Sequence, residues 1–160
     1  MFMRVEEKII HLLTQQKKTV SLAESCTGGW VGEKLTSIPG ASKVFGFGVV
    51  SYSAKAKQKL LNVPASLIKK YGEVSPEVAC AMAKGILSLS KSTYALAITG
   101  IAGPTGGTSK KPVGTVCLSL ISKDGQHIKN RTLYLKGSRH HIRKKASDQI
   151  LKMLYYSLTN

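Results

Sequence analysis

Two spacings of hydrophobic residues organise this chain, and the change from one to the other marks its elements. Val5, Ile9, Leu12 and Leu13 recur at helical spacing and predict an amphipathic helix over residues 3–15. The short apolar run Thr19 to Glu24 predicts a strand, followed by a small polar turn from Ser25 to Gly29. Trp30 to Ser37 then reads as a helix, which Pro39-Gly40 ends. Phe45 to Tyr52 predicts a second strand, with Gly46 and Gly48 permitting close backbone approach. Ala54 to Leu61 and Pro64 to Tyr71 predict two short helices. A longer helix opens at Ser75-Pro76-Glu77, which combines a capping hydroxyl, a first-turn proline and an acid at the positive end of the dipole. Val78, Met82, Ile86 and Leu89 mark the face expected to be buried.

Thr93 to Ile98 is an apolar strand that runs into the most glycine-dense stretch of the chain, Thr99 to Gly107. Val113 to Ile121 and His127 to Leu135 predict an antiparallel hairpin around Asp124-Gly125. Ser138 caps a last helix with an apolar stripe of Ile142, Ala146, Ile150, Met153, Leu154 and Leu158. The early crossovers require parallel strands and the late hairpin antiparallel ones. The expectation is one α/β domain over residues 1–160, with a mixed sheet covered by helices. No repeat, low-complexity segment or linker divides it.

Composition narrows the function. The hydrophobic share of 42% suits a globular domain, and no apolar run approaches the length that spans a bilayer. The N-terminus carries Arg4, Glu6, Glu7 and Lys8 among short apolar pieces, unlike a signal peptide, so a cytoplasmic protein without membrane association is expected. Cys26, Cys80 and Cys117 are odd in number and far apart, which points to reduced thiols and to no metal site. The net charge of +16 is spread along the chain in small groups such as Lys69/Lys70 and Lys110/Lys111. With aromatics at only 6%, this permits non-specific attraction to nucleic acid but no specific readout.

Both candidate sites are turns that follow an apolar strand, where open α/β sheets bind ligands. In Ala23-Glu24-Ser25-Cys26-Thr27-Gly28-Gly29, a serine on a strand-to-helix turn can project its hydroxyl, and nearby amides can stabilise an anion. An ordinary helix cap uses the same residue types. Cys26 points elsewhere from Ser25 and reads as structural. A serine needs a base. The four histidines, His11, His127, His140 and His141, offer no evident acidic partner. A neutral lysine can serve, since burial and neighbouring cations lower its pKa. Lys55, Lys57 and Lys59 follow the second strand, with Lys55 and Lys59 on one helix face and Lys57 on another, and residue physics leaves the choice among them open. Thr99 to Gly107 lacks the spacing of a P-loop or a dinucleotide fingerprint, but its amides can form an anion nest. Arg139 and Arg143, one helical turn apart, can clamp a phosphate.

Taken together, AESCTGG at Ala23 to Gly29, VVSY at Val49 to Tyr52, GEVSPEVA at Gly72 to Ala79, TGIAGPTGGT at Thr99 to Thr108 and KPVGTV at Lys111 to Val116 resemble the CinA C-terminal domain family. The resemblance runs from about Thr19 to the end of the chain and implies a three-layer α/β/α fold, usually dimeric, with no required cofactor. It implies an amidohydrolase that converts nicotinamide mononucleotide to nicotinate mononucleotide and ammonia. By the same resemblance Ser25 is the nucleophile, Lys57 the base and Tyr52 an active-site tyrosine. Thr27, Gly28, Gly29, Thr99, Gly100, Gly103, Gly106, Gly107 and Arg139 are then expected to bind substrate. The chain departs from the family at Ser53 and Ala54, where Asn then Glu is common, and at Lys110, where an acid is common. The rival readings are a basic nucleic-acid-associated module with vestigial catalytic residues, and an amidase for another carboxamide.

Overall fold

Strand β1 (Val20–Glu24) is buried along its whole length and sits between two parallel neighbours, β2 (Phe45–Val50) and β3 (Tyr94–Gly100). The computed structural model describes residues 3–160. Its sheet has five strands in the order β2-β1-β3-β4-β5, with β4 (Thr115–Ser122) antiparallel to β3 and β5 (Ile128–Tyr134) antiparallel to β4. Helices connect the three parallel strands in chain order, and a short turn joins the antiparallel pair β4–β5, as the periodicity predicts.

The two faces of the sheet bury different side chains. On one, α1 (Val5–Gln15), α2 (Trp30–Thr36) and α6 (Arg139–Thr159) cover large aliphatic residues, among them Leu22, Leu96, Leu118 and Leu120. Burial of each such side chain contributes about 1.5–3 kcal/mol. On the other, α5 (Pro76–Ser90) lies over Ala23, Ala95 and Ala97, whose small size lets the helix approach the strands closely. Strand β3 therefore alternates large and small residues between the two layers. Two shorter helices, α3 (Ala54–Leu61) and α4 (Ala65–Tyr71), flank α5. The end of α3 packs so tightly on α5 that a Cβ at Gly85 would collide with the Leu61 backbone.

The apolar stripe of α6 is buried from Ile142 to Leu158. The expectation for Leu89 fails: it is 52% exposed, because the last turn of α5 runs past the covered part of the sheet into the Lys91–Thr93 connection. No helix among the described residues is long and apolar enough to cross a membrane.

This topology positions the site. The chain leaves β1 through α2 on one face and enters β3 through α5 on the other. A crevice opens where these connections diverge, beyond the carboxyl ends of adjacent parallel strands.

Candidate active site

Ser25 stands immediately beyond β1, in a turn clamped from two sides. From inside, the buried Glu24 carboxylate accepts from the Thr27 hydroxyl (2.5 Å) and from the amides of Gly29 (3.0 Å), Val31 (3.2 Å) and Gly32 (2.8 Å). The N-cap of α2 is Gly29, which has no side chain to satisfy the first amides of the helix. Glu24 supplies that cap from the strand, and its negative charge suits the dipole. From outside, Arg143 of α6 donates through Nε to the Cys26 carbonyl (2.9 Å) and through Nη2 to the Thr27 carbonyl (3.0 Å). Its guanidinium lies 5.3 Å from the Trp30 ring centre, a cation–π contact.

Helix α3 delivers Lys57. Ser53 accepts from the Ala56 amide at 3.1 Å and so caps the helix, which gives a local role to one of the three departures from the family pattern. Lys57 falls on the inner face and is 1% exposed, while Lys55 and Lys59 face solvent. Lys57 Nζ lies 3.0 Å from Ser25 Oγ and donates to the Ser51 carbonyl at 2.8 Å. Burial holds the Lys57 amine below the ordinary lysine value, against the opposing pull of Glu73, whose Oε1 is 4.0 Å away, and a smaller one from Cys26. Lys55 faces solvent and does not contribute to that shift. Burial pushes the neighbouring Cys26 thiol up to about 12, so it stays protonated near neutral pH.

Ser25 and Lys57 open into a cleft of about 410 Å³. On its far side Arg139, the first residue of α6, donates to the Gly103 carbonyl (2.8 Å) and to the Tyr52 hydroxyl (2.9 Å). One guanidinium thus ties the glycine-rich loop to the residue that follows β2. Thr99 donates its hydroxyl to the Glu73 carbonyl at 3.0 Å and fixes the segment between α4 and α5. Lys111 also lines the cleft and donates to the Tyr71 carbonyl, beside Gly72 and Glu73. Gly100 must be glycine for contact reasons: a Cβ there would lie 2.9 Å from Val116 Cγ2 and 3.1 Å from Cys26 Sγ. Gly103 has a φ of +75°, and a Cβ would run into Val113.

Of the residues singled out in the sequence, the cleft brings together Ser25, Tyr52, Lys57, Thr99, Gly100, Gly103, Gly106 and Arg139. Thr27, Gly28, Gly29 and Gly107 lie outside its lining. Thr27 is fully buried on Glu24, the Gly28 amide donates to the Ser25 carbonyl, and the Gly29 amide is taken by Glu24. These residues build the turn. The amides of Cys26 and Thr27 are not used in the turn's hydrogen bonds among the described residues. Arg143 grips the first turn and forms no clamp with Arg139. Glu24, Glu73 and Lys111 carry no signal of their own in the sequence beyond membership of the motifs. Among the described residues no three His, Cys, Asp or Glu side chains gather as a metal site.

These features define a three-layer α/β/α domain with a serine and a buried lysine paired at the switch point of its sheet. The sequence model of the CinA C-terminal domain matches residues 3–158, and the chain belongs to that family. It is 45% identical over 157 residues to a CinA-like protein of Chlorobium luteolum, covering 96% of this chain and 36% of that protein. It is 42% identical over 157 residues to a CinA-like protein of Pseudothermotoga lettingae, covering 98% of this chain and 38% of that protein. The chain thus spans a little over a third of the length of these curated relatives. Among solved structures it superposes on competence/damage inducible protein CihA of Agrobacterium tumefaciens with a TM-score of 0.92 at 36% identity, over 100% of this chain and 99% of that one.

Proposed function

We propose that this domain is a nicotinamide mononucleotide amidase working through a Ser25–Lys57 pair. The observation that carries the reading is an amine 1% exposed, held 3.0 Å from a serine hydroxyl at the floor of a cleft. A structural lysine seldom stays buried without a carboxylate bonded to it. A base whose charged form is disfavoured is what a serine nucleophile requires.

In this reading uncharged Lys57 takes the Ser25 proton as Oγ attacks the carboxamide carbon. The oxyanion forms beside the Cys26 and Thr27 amides, and such preorganised donors supply the largest single stabilisation in many acyl transfers. Lys57 passes its proton to the carboxamide nitrogen, the C–N bond breaks and ammonia leaves. Water then attacks the Ser25 ester, with Lys57 receiving its proton and returning one to Oγ. Product is the carboxylate. Arg139, Lys111 and the loop from Thr99 to Gly107 receive the ribose phosphate, and Tyr52 closes that end through Arg139.

Ammonia release from a panel of carboxamides tests this. Nicotinamide mononucleotide should be turned over well, and the phosphate-free riboside poorly, through a raised KM. Ammonia from another carboxamide alone would leave the Ser–Lys chemistry standing with a different substrate. No ammonia from any, together with steeply salt-dependent DNA binding, would favour a nucleic-acid-associated role. A cytoplasmic setting for this chemistry is part of the same proposal.

We place the homodimer expected from the family resemblance along β2. This edge strand carries neither charge nor proline and exposes Phe47 and Val50, with Tyr52 and Leu60 beside it. Edges left without such protection pair with another chain. Phe47→Lys should shift the protein from dimer to monomer in sedimentation, and a monomeric parent would contradict the placement.

A further inference from the structure

The cleft carries one charged side chain to which the amidase steps give no role. Three of the charged side chains lining it are basic, Lys57, Lys111 and Arg139, and one is acidic, Glu73. In a chain with 24 Lys and Arg against 8 Asp and Glu, an acid at this place is conspicuous. Its backbone is fixed on both sides. Thr99 donates to the Glu73 carbonyl at 3.0 Å. Ser75 donates to the Gly72 carbonyl at 3.1 Å and caps α5 through the Val78 amide at 3.2 Å. The carboxylate itself accepts no hydrogen bond from any described residue and is half-exposed to the cleft, with Oε1 4.0 Å from Lys57 Nζ. A carboxylate on a fixed mount, free of hydrogen bonds from the described residues and 4.0 Å from the Lys57 amine, is arranged to meet a ligand.

From this we infer that Glu73 is a specificity residue that reads a positive charge on the ring bearing the carboxamide, so that the site selects a cationic-ring mononucleotide over its neutral-ring form. The inference rests on the amidase reading for its choice of ligand. Arg139, held on the Gly103 carbonyl and the Tyr52 hydroxyl, attracts the phosphate, and one anion beside the dyad attracts the ring, so the cleft is matched to a zwitterion. Two effects follow. A neutral ring leaves the Glu73 carboxylate facing a dry surface, which weakens binding. A cationic ring offsets the field that Glu73 exerts on Lys57, so the correct substrate itself favours the uncharged amine. After turnover the new carboxylate of the product lies near Glu73, and like charges promote its release.

The test uses nicotinamide mononucleotide and its dihydropyridine form, which share phosphate, ribose and carboxamide and differ in ring charge. Affinities are measured by calorimetry in Ser25→Ala, which keeps Glu73 and removes turnover. The oxidised form should bind about fivefold tighter than the reduced form, roughly one charge-pair contribution at a partly exposed site. In Ser25→Ala/Glu73→Gln that ratio should fall to near one, through loss of affinity for the oxidised form alone. Ser25→Ala/Glu73→Asp should keep part of it. A ratio unchanged by Glu73→Gln, or equal loss for both ligands, would overturn the inference. Turnover is read separately in the chain with Ser25 intact. Charge-selective binding without ammonia release would leave Glu73 as assigned and defeat the amidase reading. Ammonia release with a charge-blind site would do the reverse.

Discussion

Lys57 Nζ and Ser25 Oγ are 3.0 Å apart although 32 residues separate them, because each is carried by a different strand-to-helix junction at one end of the sheet. Ser25 rides on β1 and Lys57 on the helix after β2, and the parallel β1–β2 pairing sets their distance. Contact between a buried amine and a hydroxyl has consequences for stability as well as for activity.

Lys57→Met should stabilise the fold while abolishing activity. The wild-type amine is buried with its pKa lowered, so the unfolded chain binds the proton more tightly than the folded one. The penalty is therefore fully present below the folded pKa and is relieved as pH rises toward the ordinary value of 10.5. The methionine variant should gain on the order of 1 kcal/mol near neutral pH. That gain should shrink on the alkaline side. Denaturant melts of both proteins across pH check the sign; a gain that grows with pH would be contrary to the assignment.

The same lowered pKa sets the pH dependence of turnover. Rate should rise with pH as Lys57 loses its proton, with a midpoint below 10.5. Glu73 pulls the other way, so Glu73→Gln should move the acid limb of kcat/KM to lower pH. A limb that stays in place in the variant would mean that Lys57 does not feel Glu73.

Cys26 should be inert. With its thiol pushed to about 12, it should escape iodoacetamide at neutral pH while the half-buried Cys80 is alkylated. Intact and peptide mass spectra read this directly, and Cys26→Ala should retain most of the parent's ammonia release. Rapid alkylation of Cys26 with loss of activity would transfer suspicion to the thiol.

The clamp around Ser25 should separate positioning from folding. Arg143→Lys loses the two-pronged grip on the Cys26 and Thr27 carbonyls, and should lower kcat by about tenfold with KM little changed. Glu24→Ala leaves the amides of Gly29, Val31 and Gly32 without their acceptor and should cost at least about 2 kcal/mol of stability. Steady-state kinetics paired with thermal melts distinguish the two outcomes.

How far the sequence led depended on the range of each interaction. The Ser25 turn and the α6 stripe from Ile142 to Leu158 are legible because strand, turn and helical period are local signals. The choice of Lys57 over Lys55 and Lys59 came only from family resemblance, since which face of α3 turns inward is decided by α5 and β1 and not by α3. Leu89 keeps the right period but lies past the part of the sheet that would cover it. A helix start offers free amides, so Thr27, Gly28 and Gly29 read alike in the sequence; the fold sends the Gly28 amide to the Ser25 carbonyl and the Gly29 amide to the buried Glu24, and leaves that of Thr27 open. Arg143 looked like Arg139, one turn away, yet that turn changes its target from the cleft to the carbonyls behind Ser25. Long-range partners of this kind leave no trace in composition or spacing.

Ammonia release from nicotinamide mononucleotide by Ser25→Ala tests the central claim most directly. The account predicts a fall in kcat of at least about a thousandfold, with an unchanged melting temperature. Turnover within tenfold of the parent in a folded Ser25→Ala protein would contradict it.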